Sequence, residues 1–297
     1  MAAVEPALTL RGDGHARRRR IANRVAESVA TVAALAAVGV LGVVLWSVAK
    51  RGGSELSWGF LTKDLPIPFS PDKGGIAPLL VGSGVLVGLA GAMALPVGVA
   101  IAIFLEEFAT PRQRMPVQLA VDLLNGLPSI IIGLFIFGLL IKPLEKQMAL
   151  AASVALAVIQ LPLIARGSLE VLLLVPGNLR EASDALGVSR WRGVLGVILP
   201  SALGGIVTAT VLAVARAAGE TAPLIFASSV FDASKVSVNP FEALPNIPVT
   251  IFFLSEEGNP TGFTRAWGAS LVLIAIILFA SLGARALLAR NRERMTR

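Results

Sequence analysis

The sequence predicts an all-α membrane protein, built as one polytopic bundle of six transmembrane helices. Hydrophobic residues make up 55% of the chain and charged residues only 15%, whereas charged residues form about a quarter of a typical soluble domain. The apolar residues fall in separate blocks, each of about 20 residues or more, which is the length needed to cross a bilayer as a helix. The strands of a membrane barrel would give a much weaker, alternating pattern.

Six apolar blocks can be placed in order along the chain. Residues 1–27 are polar and basic, and the block that follows them is too long for the apolar region of a cleaved signal peptide, so we expect a retained helix. The predicted spans cover about residues 28–48, 76–105, 117–141, 148–164 or beyond, 203–227 and 267–288.

The distribution of Lys and Arg predicts the orientation of these spans. With a cytoplasmic amino terminus, the cytoplasmic segments hold 17 of the 26 basic residues and the opposite side holds 8, while Arg216 lies within a span. Cytoplasmic loops carry an excess of Lys and Arg. The sequence therefore predicts a multi-pass protein with both termini in the cytoplasm. The basic run at residues 17–20 is explained as a membrane anchor rather than as a nucleic-acid site.

The fifth predicted span carries two charges near its middle, Arg216 and Glu220. A charge at the centre of a membrane helix costs roughly 2.5–3.5 kcal/mol on insertion scales, so such residues indicate by default a path for an ion or solute. The guanidinium of arginine stays charged, and its N–H donors lie in one plane with a geometry that suits the oxygen atoms of an oxyanion. Glu220 lies one turn further on the same face, where it can neutralise Arg216 when no anion is bound. A purely structural buried ion pair is the alternative.

Composition argues against several other kinds of site. The chain has no cysteine and a single histidine, His15, so neither disulfides nor the usual metal-ligating sets are expected. We find no grouping of nucleophile, base and orienting residue, and therefore expect no catalytic residues. The chain also lacks the glycine-rich, lysine-containing loop that cradles nucleotide phosphates. Any ATP would have to be bound by another polypeptide.

A spaced motif lies between the fourth and fifth spans. Glu181-Ala182-Ser183 is followed after three residues by Gly187, and after nine more by the sequence VILP at residues 197–200. This pattern resembles the EAA loop of permease subunits in bacterial ABC importers, with serine replacing the second alanine and valine replacing isoleucine. Residues 178–191 are too charged to span the membrane, so we expect short helices outside the bilayer. A surface re-entrant loop is the alternative.

The resemblance implies that this loop forms short coupling helices, which dock in a groove of a separate ATPase subunit. The residue types suit that role, because Glu181 can cap or pair at a helix start and Gly187 can turn the chain between helices. The residues expected at the coupling surface are Glu181, Ala182, Ser183, Gly187, Leu199 and Pro200.

Other segments are similar to the PstA family of phosphate-uptake permeases within that superfamily. Residues 216–224 read RAAGETAPL, like the family signature RxxGETAPL, and residues 126–129, 161–166 and 243–252 resemble further parts of the same proteins. The resemblance implies the fold of a type I ABC importer permease, called MetI-like. The expected organisation is a basic cytoplasmic tail at 1–27, a first transmembrane helix and external loop at 28–75, a permease core at 76–290 and a cytoplasmic tail at 291–297.

The resemblance also implies a function and partners. The chain would be a non-catalytic permease subunit of an ATP-driven phosphate importer in the bacterial plasma membrane. Its partners would be a PstC-like second permease, a dimer of a PstB-like ATPase that binds ATP and Mg²⁺, and a PstS-like extracytoplasmic phosphate-binding protein. Apart from membrane lipid no other partner is implied, and no cofactor is expected in this chain.

In that family, arginines of these spans are implicated in passing phosphate. The resemblance carries that role to Arg216 and Arg166 only. The predicted substrate pathway also includes their neighbours Glu220 and Thr221, so that its residues are Arg216, Glu220, Arg166 and Thr221. For Arg166, a snorkelling anchor near the membrane boundary is an equal alternative. The polar residues Asp122 and Asn125 of the third span are better explained as contacts between helices than as pathway.

Two other functions stay open at this point. A permease for another tetrahedral oxyanion, molybdate or sulfate, would show the same features, because the separate binding protein would set the selectivity. A proton-coupled secondary transporter would use Glu220 as its titrating group, but it would need no docking loop for an ATPase.

Overall fold

The computed structural model describes residues 14–66, 74–228 and 235–295, and this part of the chain contains helices and turns without a β-strand. It divides at Lys50 into two units. Of the described residues, the first unit contains those of α1 (Gly14–Gly52) as far as Lys50. The second unit contains α2 (Trp58–Thr62), α3 (Ala77–Ile103), α4 (Pro111–Gly126), α5 (Ser129–Ile136), α6 (Lys142–Leu144), α7 (Ala149–Leu173), α8 (Gly177–Ala185), α9 (Arg190–Gly193), α10 (Leu199–Ala218), α11 (Ala222–Ala227), α12 (Ile247–Glu256) and α13 (Pro260–Met295).

Within the described residues, five helical stretches are long and apolar enough to cross a membrane. They are Arg18–Glu55, Ala77–Phe108, Ala149–Leu173, Arg190–Ala218 and Pro260–Gly283. The pair Pro111–Gly126 and Ser129–Leu144 adds a sixth span if it is counted as one, although it bends by 96° at its break. The predicted all-helical, multi-pass bundle is confirmed, and the number six is reached with this bent pair.

Proline explains the bend between α4 and α5. Leu127, which precedes Pro128, is extended, with φ −69° and ψ 135°. The ring of a proline disfavours the helical conformation for the residue before it. Pro128 itself has no N–H with which to continue the helix. The third span is therefore built from two helices that meet at an open, polar corner.

The helix α7 lies at the centre of the second unit and packs against α3, α4, α5 and α10. Glycines allow the closest of these contacts. A Cβ on Gly98 of α3 would lie 3.0 Å from Cβ of Ile164, and one on Gly205 of α10 would lie 2.5 Å from a methyl group of Val171. Small residues permit such close packing in a membrane, where no hydrophobic effect drives helices together. Three helices thus form a tight core.

The fifth span differs from the sequence prediction of one continuous helix over residues 203–227. The helical stretch begins earlier, at Arg190, and ends at Ala218, and α11 starts only at Ala222. Gly219 is a poor helix former and lies at the break. Pro223 lies in the first turn of α11, where its missing N–H costs nothing and its fixed φ favours the start of a new helix. The expectation that Arg216 lies mid-helix is therefore wrong, because it lies in the last turn of α10.

Candidate functional site

A polar cavity of about 240 Å³ opens beside Arg216. It lies where the last turn of α10 faces the corner between α4 and α5. Its polar lining comes from Asn125, Ser129, Arg216 and Glu220. We call it the Arg216 cavity. It is open to the surface of the chain, so that a small polar solute can reach the guanidinium.

Arg216 and Glu220 face each other across the end of α10. Nε of Arg216 lies 4.0 Å from Oε1 of Glu220, and the Arg216 side chain is 60% exposed while that of Glu220 is 19% exposed. At this separation the charges attract each other without a direct hydrogen bond, which requires about 2.7–3.2 Å. The N–H donors of Arg216 remain available for the oxygen atoms of an anion.

Thr221 lies in the linker between α10 and α11. Its carbonyl oxygen accepts hydrogen bonds from the N–H groups of Leu224 and Ile225, at 3.1 and 3.2 Å. These bonds fix the start of α11. Thr221 does not line the Arg216 cavity, so the structure gives its backbone a capping role, and its assignment to the pathway stays a prediction.

A second open cavity, of about 290 Å³, surrounds Arg166 of α7, and we call it the Arg166 cavity. Arg166 forms an ion pair with Asp122 of α4, and both side chains are about half exposed. Gln118 and Glu170 add further polar groups. Asp122 therefore joins α4 to α7, as the sequence predicted for a contact between helices, and its partner is a residue assigned to the pathway.

The two cavities follow one another along the same pair of helices. Asp122 and Asn125 are three residues apart on α4, and Leu163 and Arg166 are three residues apart on α7. Three residues rise about 4.5 Å in an α-helix and lie on the same face. Each cavity thus contains an arginine with a carboxylate beside it. The two cavities lie one after the other along one surface, and we call their positions along it levels.

The position of α11 beside the Arg216 cavity depends on Gly133 of α5. A Cβ at Gly133 would lie 2.8 Å from the carbonyl oxygen of Pro223, and backbone atoms cannot move aside as a flexible side chain can. We expect Gly133→Ala to destabilise the protein by about 1–3 kcal/mol, as overpacking does. Thermal unfolding of the purified protein measures this loss.

Gly138→Ala is the matched control for that experiment. A Cβ at Gly138 meets nothing within 4 Å, so this variant should unfold at or slightly above the wild-type temperature, because alanine favours helices. Equal unfolding temperatures for Gly133→Ala and Gly138→Ala would contradict the close contact between α5 and α11.

The EAA-like motif folds as the two short helices α8 and α9, as the sequence predicted. They are joined near Gly187, whose φ is +68°, a conformation that glycine adopts without strain. Leu186 before it is largely exposed, as is Leu174 at the end of α7.

The motif residues take different positions in this segment. Ser183 is buried, and a Cβ on Gly193 of α9 would lie 2.5 Å from its Oγ, so small side chains are required where α8 and α9 meet. Glu181 and Ala182 are exposed. Glu181 is the fifth residue of α8, and the expectation that it caps the start of a helix is wrong. The remaining two residues, Leu199 and Pro200, open α10.

A cluster of charges ties α8 to the end of the second span. We call it the Arg180 cluster, and it consists of Glu106, Glu107, Arg114 and Arg180. Nε of Arg180 donates to Oε1 of Glu107 at 2.9 Å, and Nη2 of Arg180 lies 3.5 Å from Glu106. Nη2 of Arg114 lies 3.3 Å from the same glutamate. The side chain of Glu107 is only 3% exposed, and Arg180 is its closest ion-pair partner.

Arg180 also holds the end of α7. Its Nη1 and Nη2 atoms donate to the carbonyl oxygens of Val175 and Leu172, at 2.9 and 3.0 Å. The last carbonyl groups of a helix have no partner within the helix. One side chain of α8 therefore joins three elements. Sequence reasoning did not single out this residue, and its signal was weak: an arginine within the motif and two glutamates at the end of an apolar block.

A comparison of the sequence with known protein families identifies the family of this chain. Residues 94–295, more than half of the chain, match the family described as binding-protein-dependent transport system inner membrane component. The chain belongs to this family of binding-protein-dependent permeases. The prediction that the chain is a subunit of a transporter is confirmed by this family membership.

Relatives of this permease share most of its length. The phosphate transport system permease protein PstA 1 of Mycobacterium tuberculosis (strain CDC 1551 / Oshkosh) is 37% identical over 276 residues, which cover 90% of this chain and 88% of the relative. PstA of Xylella fastidiosa (strain Temecula1 / ATCC 700964) is 36% identical and covers 93% and 96% of the two chains. PstA of Yersinia pestis is 32% identical, with coverage of 93% and 92%.

Solved structures share the fold of this permease. A chain of the methionine ABC transporter MetNI, in an inward-facing conformation, superimposes with a TM-score of 0.57 at 21% identity, over 73% of this permease and 94% of that chain. A chain of a bacterial alginate ABC transporter in complex with its periplasmic protein gives 0.59 at 15% identity, over 86% and 94%. The predicted MetI-like permease fold is confirmed.

Proposed function

We propose that this permease is the transmembrane subunit of an ATP-driven importer of inorganic phosphate and forms half of its translocation pathway. The observation that carries the proposal is the match, over about nine-tenths of the chain, to relatives described as PstA phosphate transport permeases. The Arg216 cavity supports this proposal, because an exposed guanidinium in an apolar bundle can bind an oxyanion transiently as it crosses the membrane.

The pathway in this proposal consists of Arg216, Glu220, Arg166 and Thr221. The two arginines lie at successive levels of one surface, and each has a carboxylate beside it. A carboxylate near an arginine lowers the cost of keeping the cation in the membrane. It also competes with a bound anion, so that phosphate can leave one level for the next. The surface is completed by a second permease subunit, which we propose to be PstC-like.

Coupling to ATP is assigned to the segment from α8 to α9. The exposed residues Glu181, Ala182 and Leu186, together with the turn at Gly187, form the proposed docking surface for a PstB-like ATPase dimer that binds ATP and Mg²⁺. The Arg180 cluster supports this role, because it connects α8 to both α3 and α7. Movement of the docked helix is thereby passed to the core of the bundle.

The proposed orientation places both termini and the α8–α9 segment in the cytoplasm of a bacterial cell. The excess of Lys and Arg on that side supports it. A PstS-like phosphate-binding protein would then deliver its anion to the opposite face. Labelling of single introduced cysteines with a membrane-impermeant reagent tests this arrangement in intact cells, since the chain has no cysteine of its own.

Uptake by the reconstituted complex tests the function itself. The permease, purified with its companion chains in liposomes, should accumulate radiolabelled phosphate only with the binding protein on one side and ATP with Mg²⁺ on the other. ATP-independent uptake by the permease alone would contradict the proposal and support a secondary transporter. Faster uptake of molybdate or sulfate than of phosphate would assign the complex to another oxyanion.

Gly187→Pro tests the docking surface. Proline fixes φ near −65° and has no N–H, whereas Gly187 has a φ of +68° and donates its N–H to the carbonyl oxygen of Asp184 at 3.0 Å. Strain of this kind costs about 1–3 kcal/mol. We expect the amount of ATPase that co-purifies with the permease to fall at least about fivefold.

Gly258→Pro serves as the control, because Gly258 has nearly the same φ, +66°, and lies between α12 and α13. This variant imposes similar strain far from α8 in the sequence, and it should keep its ATPase. If the Gly187→Pro permease co-purifies with as much ATPase as the wild type, the turn at Gly187 is not part of the docking surface.

A further inference from the structure

An apolar groove of about 570 Å³ runs along the outside of α3 and α10. On α3 it extends from Leu95 past the helix end to Phe108, and on α10 it extends from Leu199 to Val207. Its lining is almost entirely apolar. Leu203, Val207 and Phe108 are exposed to the surroundings. The groove is therefore a surface that an apolar partner covers when the protein is in a membrane.

The groove faces away from the proposed pathway. Val207 and Arg216 are nine residues apart on α10, which is two and a half turns, so their side chains point in opposite directions. Because the Arg216 cavity lies on the pathway side of α10, the groove lies on its other side.

The lining of the groove distinguishes a lipid chain from a packed helix. Contacts between membrane helices are rich in small residues, which let backbones approach, as Gly98 and Gly205 do inside this bundle. The groove offers one small residue, Ala100, among large aliphatic and aromatic side chains. The stretch from Leu199 to Val207 rises about 12 Å, which is close to the depth of one leaflet of a hydrocarbon core of about 30 Å. These features fit a flexible acyl chain.

Positive charge lies at one end of the groove. Trp191 and Phe108 close this end, with their ring centroids 5.9 Å apart, and the guanidinium of Arg190 lies 5.8 Å from the Phe108 ring. Among the described residues, Arg190 forms no ion pair. Two acidic residues border the same small polar cavity as Arg190: Asp184 is exposed, and Glu107 is held by Arg180.

We propose that this groove binds an anionic phospholipid, with one acyl chain between α3 and α10 and the phosphate of its headgroup at Arg190. Basic pockets between membrane helices bind anionic headgroups, and tryptophan favours the interface between lipid and water. The site lies beside α9, so an anionic lipid there stabilises the α8–α9 segment. The proposal is independent of the solute that the permease carries.

Photocrosslinking with phosphatidylglycerol tests the proposal. The purified complex is placed in phosphatidylcholine vesicles that contain phosphatidylglycerol with a diazirine on its acyl chain, and the labelled peptides are identified. We expect label on residues of the groove. Unlabelled phosphatidylglycerol should compete with this labelling, and phosphatidylcholine should not.

Two variants test the two halves of the site. Each arginine near a membrane surface strengthens attraction to anionic lipid about fivefold, so Arg190→Gln should weaken labelling about fivefold. Ala100→Trp fills the groove without a change of charge and should also abolish it. Arg112→Gln and Ala92→Trp are the controls, since these exposed residues lie outside the groove. Both controls should keep wild-type labelling.

Three results would overturn the proposal. Equal competition by phosphatidylcholine would mean that the groove holds ordinary annular lipid. Unchanged labelling in both the charge and the groove variants would place the lipid elsewhere. Absence of label from the wild-type groove, together with failure of Ala100→Trp to assemble with the second permease, would assign the groove to a protein helix.

Discussion

Replacing Arg216 by glutamine is expected to lower ATP-driven phosphate uptake at least tenfold, while the complex still assembles and hydrolyses ATP. Glutamine keeps a polar side chain of similar shape but loses the permanent charge. A hydrogen bond to a charged group contributes about 1.5–3 kcal/mol, and 1.4 kcal/mol corresponds to a factor of ten. Because Arg216 is largely exposed in the cavity, its loss should leave the fold intact. Uptake of radiolabelled phosphate into liposomes is the measurement.

Two further variants make this result specific. Arg216→Lys keeps the charge without the planar fork, so its uptake should lie between wild type and Arg216→Gln. Arg285→Gln removes an exposed charge from α13 and should transport normally. Wild-type uptake by Arg216→Gln would exclude Arg216 from the pathway, whereas the family and the fold would be unaffected.

Removing the cation of the Arg180 cluster should have the largest structural effect. Arg180→Met leaves the buried carboxylate of Glu107 without its closest partner and releases the carbonyl groups at the end of α7. Removal of one member of a buried ion pair costs about 3–5 kcal/mol. We expect a markedly lower unfolding temperature and loss of the ATPase from the purified complex.

The double variant Arg180→Met/Glu107→Leu separates stability from coupling. An apolar pair can replace a buried ion pair with little loss of stability, so the unfolding temperature should recover. Uptake should stay low, because the hydrogen bonds from α8 to the end of α7 are still missing. Arg112→Met, at an exposed position of α4, is the control and should behave as wild type. An Arg180→Met complex as stable as this control would rule out the proposed link.

The fold was largely predictable because hydrophobicity decides it. Blocks of about 20 apolar residues have few alternatives to a membrane helix, and α3, α7 and α13 follow such blocks closely. The fifth span was misjudged because its composition stays apolar through Gly219 and Pro223, and a count of hydrophobic residues does not register a break in the backbone. The bend at Pro128 was visible in the sequence, but its angle of 96° was not.

The site was predictable only in part. Arg216 and Glu220 stood out because charges are rare in apolar blocks, and the structure brings both to one cavity. Pairing between distant segments left no comparable signal. Asp122 and Arg166 are 44 residues apart, and Glu107 and Arg180 are 73 apart. Such partners are set by the way the helices pack, which the local sequence does not encode.

The early end of α10 has a consequence for how long an anion stays near Arg216. The carbonyl groups in the last turn of a helix carry a partial negative charge, equivalent to about half an elementary charge. Arg216 lies within that turn, so the helix terminus offsets part of its positive field. A phosphate bound there dissociates faster than it would from an arginine in mid-helix. We expect phosphate to stay bound at Arg216 only briefly, which favours rapid passage over tight binding.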